Sequence, residues 1–134
     1  MSDSSPVVVT HRVIYGDTDA MGIVYYGNYM RFLEIGRTEY LRAGGRSYKE
    51  VEDAGYAIPV AEVGLRYMAP ARYDDLLEIA THLEKLSGAS IRFGYRITCE
   101  GELLAKGFTR HACVDRSKGR AVRLPPEVIE ILQH

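Results

Sequence analysis

Between Val7 and Tyr15 the chain is rich in β-branched residues, with Val7, Val8, Val9, Thr10 and Val13 suited to a pleated strand. The period then changes. Tyr29, Phe32, Leu33, Gly36 and Tyr40 recur at i, i+3, i+4, i+7 and i+11, which predicts an amphipathic helix from about Asn28 to Ala43. Arg31, Glu34, Arg37, Glu39 and Arg42 fall mostly off that stripe, on a solvated face. Gly36 weakens the helix from within its buried stripe, so a bulky neighbour, a sheet, is expected close against it. Gly44-Gly45 ends the helix, and Ser47 caps a short second one that reaches about Ala54.

After Gly55 the period falls to two. Strands are predicted at about 57–67, 76–86, 90–99 and 103–114, joined by turn chemistry at Pro70 with Asp74-Asp75, at Ser87-Gly88 and at Glu100-Gly101-Glu102. Ser117-Lys118-Gly119 makes a last loop, and Pro125-Pro126 opens a terminal helix to about Leu132. One strand, one long helix and four consecutive strands define an α+β fold: a five-stranded curved sheet wrapped on a central helix, with 57–114 as an antiparallel meander. One flank of that helix and the edges of the sheet would still need cover, and both needs point to a dimer.

Composition narrows the class. The 134 residues, 46% hydrophobic and 26% charged, suit one folded domain, 7–132, behind a flexible leader at 1–6. A formal net charge of −1 gives no general pull toward nucleic acid or an anionic membrane. No apolar run approaches the ~20 residues of a membrane span, and the first six residues are too polar for a signal peptide. Two cysteines, Cys99 and Cys113, make no disulfide framework, and a reducing, cytoplasmic setting is expected.

The chemistry is concentrated in Tyr15 to Tyr29, where Asp17 and Asp19 follow a strand and precede the helix. A strand end holds a side chain still, and a helix start offers free N–H groups and partial positive charge. A fixed carboxylate beside such donors is what hydrolysis of an activated acyl group needs. The bland alternative is that both aspartates only shape the turn, a role that Asp17 keeps in either case. The chain has no Gly-x-Ser-x-Gly, P-loop, Gly-x-Gly-x-x-Gly or His-Glu-x-x-His. A calcium loop starting at Asp17 fails at Met21 and Asn28. His111, Cys113 and Asp115 share a strand face, a pattern more often explained by a buried cysteine and a satisfied histidine than by a metal. Tyr25, Tyr26 and Tyr29 are packing residues or the lining of an acyl pocket. Arg66, Arg72, Arg92, Arg96 and Arg110 are a solvated face or partners for substrate phosphates.

Those residues carry a resemblance. The run Tyr15-Gly-Asp-Thr-Asp-Ala-Met-Gly-Ile-Val-Tyr25, the helix text Glu34-Ile-Gly-Arg-Thr-Glu-Tyr-Leu-Arg42, and Ala69-Pro-Ala-Arg-Tyr-Asp-Asp-Leu-Leu-Glu-Ile79 follow one another in order. With Gly88-Ala-Ser90 and Cys113-Val-Asp115, they resemble the hotdog-fold acyl-CoA thioesterases of the 4-hydroxybenzoyl-CoA thioesterase type, most closely the YbgC-like branch. The resemblance implies a hotdog fold, sheets joined in a homodimer and dimers paired into a homotetramer. It implies hydrolysis of a small or medium acyl-CoA, or of an acyl carrier protein thioester, without metal or cofactor. The catalytic carboxylate falls on Asp19 and the oxyanion donor on the Tyr26 backbone N–H, with Gly22 and Ile23 in the same turn. Substrate contacts fall on Tyr25, Tyr29, Ser90 and Arg92. YbgC-like members carry a histidine where this chain has Tyr26, so a role for that imidazole is lost while the backbone donor survives. The rival readings are a non-catalytic acyl-CoA sensor and, more remotely, a dehydratase; the latter wants a histidine beside a carboxylate on the helix, and none occurs between His11 and His82.

Overall fold

The computed structural model describes residues 5–134. Most of the predicted leader therefore lies outside the described residues. The first strand, β1 (Val7–Arg12), is shorter than its sequence run, because Tyr15–Asp17 folds into a single 3-10 turn. A second such turn, Tyr26–Asn28, leads into α1 (Tyr29–Ala43). The buried face of α1 is the predicted stripe, Tyr29, Phe32, Leu33, Gly36 and Tyr40, widened by Leu41. Its end is a Schellman motif: Arg46 N–H donates to the Leu41 carbonyl and Gly45, at φ 75°, to that of Arg42. The short α2 (Tyr48–Asp53) starts at Ser47, whose N–H donates to the Glu50 carboxylate at 2.9 Å.

The strands β2 (Tyr56–Ala57), β3 (Val60–Tyr67), β4 (Leu76–Ser87), β5 (Ser90–Cys99) and β6 (Glu102–Ala112) follow, then β7 (Val114–Asp115), β8 (Arg120–Ala121) and α3 (Pro126–Leu132). Five of them make one antiparallel sheet in the order β1-β4-β5-β6-β3. The expected four-strand meander is thus corrected. Only β4-β5-β6 is a meander; β3 crosses to the far edge and pairs with β6, while β1 takes the place beside β4. Strand periodicity gives the face of each residue but not the neighbour of each strand. The break of the last long strand at Cys113 was also unforeseen. Its N–H turns to the Ala89 carbonyl, and β7 leaves to form a small sheet with β2 and β8.

Three bulges, at Val60/Glu62, Leu83/Lys85 and Ile97/Thr98, let the large sheet curl around α1. Gly36 explains itself here. A Cβ at that position would collide with the Thr81 hydroxyl and the Ile79 side chain of β4, so only glycine lets helix and sheet come this close. The helix lies over β1, β4 and β5. The flank of the sheet at β3 is left open, and Val63 and Tyr67 on its inner face stay 41% and 39% exposed.

Candidate active site

The Asp17–Tyr29 segment is built around one buried carboxylate. Asp17 is fully buried, and His11 Nε2 lies 2.9 Å and the Ile14 N–H 3.0 Å from its Oδ2, with Arg31 Nη1 3.0 Å from its Oδ1. Burial alone would push this carboxyl up. The Ile14 N–H, His11 and Arg31 overcome it and hold the group below the usual carboxylate range. The Asp17 carbonyl accepts the Tyr25 N–H at 3.1 Å and the Asn28 side-chain amide at 2.8 Å. Asp17 therefore ties β1, the loop and the start of α1 into one piece.

Asp19 hangs from that piece. Residues 18–24 form a small hairpin, closed by a Thr18–Val24 bridge and attached to the chain beyond β3 by an Ile23–Arg72 bridge. At its tip Gly22 N–H donates to the Asp19 carbonyl at 3.0 Å, and Gly22 takes the left-handed conformation (φ 80°) that lets Ile23 return its carbonyl to the Asp19 N–H at 2.9 Å. The Asp19 Oδ1 accepts the Met21 N–H at 2.8 Å, a local Asx turn, and Asp19 is exposed in the single chain. One carboxylate oxygen is thus fixed by the turn, and no donor among the described residues takes the other.

The 3-10 turn Tyr26–Asn28 begins just after this hairpin. The first hydrogen bond of the turn runs from Asn28 N–H to the Tyr25 carbonyl, and among the described residues no acceptor takes the N–H of Tyr26 or Gly27. Beside them is a cleft of about 260 Å³ lined by Ile23, Tyr26, Tyr29, Tyr67, Met68 and Pro70, with Val24 and Ala69 behind. Tyr26 and Tyr67 meet at 4.7 Å between ring centroids, and Tyr29 meets Tyr67 edge-on at 5.0 Å. Tyr29 is nearly buried, which together with Tyr67 pushes its hydroxyl up to about 12. Tyr25 is exposed and lies across Gly27, where any Cβ would strike its ring.

The structure thus brings Asp19, Gly22, Ile23, Tyr25, Tyr26 and Tyr29 together at one end of the chain's sheet. It does not bring Ser90 and Arg92 to them. The Asp19 loop leaves β1 beside Leu76, whereas Arg92 pairs with Lys85 and Ser90 with Ser87 toward the other end of β4. That separation is about 30 Å of strand. Arg92 is also occupied, 2.7 Å from the Glu84 carboxylate and 3.8 Å above the Phe108 ring. Sequence reasoning missed His11 and Arg31 as the partners of Asp17; His11 had a signal, since it faces the core side of β1, whereas Arg31 read as a solvated residue.

Among the described residues no group of three His, Cys, Asp or Glu is placed to hold a metal ion. His111, Cys113 and Asp115 do not converge. His111 Nδ1–H donates to the Ile58 carbonyl at 2.8 Å, which leaves Nε2 to accept from the Thr109 hydroxyl at 2.9 Å, and Thr109 in turn accepts from Tyr95 at 2.6 Å. Asp115 accepts from Ser117 and Lys118 instead, and both cysteines are free thiols. Among the described residues no helix is long and apolar enough to cross a membrane.

A five-stranded antiparallel sheet curled on one long helix is the hotdog fold. The chain belongs to the thioesterase-like superfamily, whose family model matches residues 13–132. It is 37% identical to the acyl-CoA thioesterase YbgC of Haemophilus influenzae over 92% of this chain and 91% of that protein. Among solved structures it is similar to a hypothetical protein from Thermus thermophilus (40% identity, TM-score 0.87, 95% of each chain covered). It is also similar to the DHNA-CoA thioesterase of Staphylococcus aureus (30% identity, TM-score 0.87, 98% of this chain and 89% of that one).

Proposed function

We propose that this protein is an acyl-CoA thioesterase that hydrolyses its substrate with Asp19 as base or nucleophile and the Tyr26 backbone N–H as oxyanion donor. The observation that carries this reading is an unspent Asp19 carboxylate oxygen on the hairpin next to a helix start with unclaimed N–H groups at Tyr26 and Gly27, with Ile23 of that hairpin and Tyr26 lining one cleft. A thioester carbonyl is poorly stabilised by resonance and its thiolate leaves readily, so the demands are modest. In one course Asp19 takes a proton from water as the oxygen adds to the carbonyl carbon. The oxyanion rests on the Tyr26 N–H, the C–S bond breaks, and the thiolate takes the proton back from Asp19. In the other course Asp19 adds directly, expels the thiolate and forms a mixed anhydride that water then opens. A positioned base supplies about 10²–10⁴-fold and one oxyanion donor about 10²–10³-fold.

The single chain leaves this site shallow, and a second copy would deepen it. The free edge of β3 and the open flank beside it carry Val60, Val63, Tyr67 and Met68, all exposed. Pairing β3 with β3 of a second copy would continue the sheet and cover that flank. Dimers pairing further into a homotetramer, a cytoplasmic location and acyl carrier protein as an alternative carrier belong to the same proposal. In such an assembly Ser90 and Arg92 would have to serve a neighbouring copy's site, because their own lies too far along the strand.

The test is a panel of short aliphatic, branched and aromatic acyl-CoA esters, followed by thiol release. Saturable turnover on at least one of them is expected. Saturable binding of several with no thiol released would mean a sensor on the same fold.

A further inference from the structure

A second cleft, about 370 Å³, lies where α1, α2 and the start of β3 meet. Its walls are apolar: Leu41, Ile58, Phe93. Its polar groups are Arg37, Thr38 and Tyr48, with the exposed Glu34 beside them. The Tyr48 hydroxyl accepts the Ile58 N–H at 3.1 Å, which leaves its own proton to donate. Arg37 is half-buried, and no carboxylate among the described residues, Glu34 included, stands within ion-pair distance of it. The two buried groups that it acts on, Tyr95 and His111, are neutral. Burial pushes the Tyr95 hydroxyl up, against the pull of Thr109 and of Arg37 itself, and burial likewise keeps His111 uncharged. A guanidinium in a largely apolar slot, backed by hydroxyls and with Glu34 of the same lining beyond ion-pair distance, is a counter-charge open to an anion.

The position of the slot says which anion. Pro59 and Val60 line it at one end of β3, whereas Tyr67 and Met68 line the Asp19 cleft at the other end. Antiparallel pairing of two β3 edges over their full length sets Val60 of one copy against Tyr67 of the other. In that arrangement the Arg37 slot of the second copy falls at the same end of the joint as the Asp19 cleft of the first. We propose that the Arg37 slot receives the acyl end of the thioester and selects acyl groups whose far end carries a carboxylate. Arg37 supplies the charge, and the Tyr48 and Thr38 hydroxyls are further donors. This rests on the thioesterase reading and on β3 pairing, and adds to them the substrate class.

The test compares succinyl-, glutaryl-, adipyl- and suberyl-CoA with butyryl-, valeryl-, hexanoyl- and octanoyl-CoA. Wild type should favour a carboxylated member over its plain counterpart. Arg37→Met should lower kcat/KM for that member by about 10–100-fold, well beyond its effect on the plain esters, and Arg37→Lys should recover part of the loss. Turnover of the plain esters also reports that each variant folds. Equal losses on both series, or a wild type indifferent to the carboxylate, would overturn the proposal. A readout that needs no turnover separates its failure from that of the hydrolase reading. The Arg37 Nε–H resonance should move on addition of free glutarate or adipate and not of valerate. Silence of that resonance toward every diacid would overturn the assignment even in an active enzyme.

Discussion

Asp17 gives both carboxylate oxygens to neighbours inside the protein, whereas Asp19 gives one oxygen to its own turn and keeps the other free of donors among the described residues. Replacing each by Asn should therefore separate structure from chemistry. Asp17→Asn keeps the shape but loses the charge that Arg31 answers, and should cost about 2 kcal/mol of stability, read as a lower urea midpoint. Because the folded pKa of Asp17 is depressed, its contribution is complete above the ordinary 3.8 and fades as pH falls through the lowered folded value. His111 acts in a higher window. Burial lowers it from its ordinary 6.5 to about 4, so between those values the unfolded chain binds a proton that the folded one refuses. Stability should fall by about 3 kcal/mol as pH drops from 6.5 to 4. His111→Gln should flatten that part of the profile in urea titrations; an unchanged slope would assign the effect elsewhere.

At the scale of elements, the tightest joint is the crossing of α1 over β4 at Gly36. Gly36→Ala should cost about 1–3 kcal/mol by overpacking against Thr81 and Ile79. The Thr81 hydroxyl is buried and has no hydrogen-bond partner among the described residues, so Thr81→Ala removes both the obstacle and the orphan. The double variant should recover much of the single loss, and strict additivity in a double-mutant cycle would contradict direct contact. Helix α1, its glycine and its Schellman end were legible in the sequence because they follow from local periodicity and backbone sterics. So were the Ser87-to-Ser90 and Glu100-Gly101 turns, where Gly88, Glu100 and Gly101 all have positive φ. Strand order was not legible. The long excursion of β3 to pair with β6 depends on which faces bury together, and neither a period of two nor turn chemistry records that. The brace at Asp17 was legible as a turn residue but not as the meeting point of His11 and Arg31, which lie 6 and 14 positions from it.

At the scale of the molecule, α1 covers one half of the sheet and leaves Val63 on the other half open. The expectation of a second copy came from unpaired edges and an uncovered flank; the structure makes β1 and β3 the two terminal strands of the large sheet, and the proposed joint is at β3, beside the open flank. Val63→Lys would place an unpaired ammonium in that joint, at a cost of several kcal/mol. Sedimentation should then show monomers with much reduced thiol release, whereas an unchanged assembly with full activity would place the joint elsewhere. The proposed hydrolysis turns on a single carboxylate. The most direct measurement is thiol release by Asp19→Asn on the best acyl-CoA found for the wild type, with its unfolding midpoint recorded alongside. Loss of about 10²–10⁴-fold in kcat with the midpoint unchanged is the predicted result, and turnover near the wild-type rate by a folded Asp19→Asn protein would contradict it.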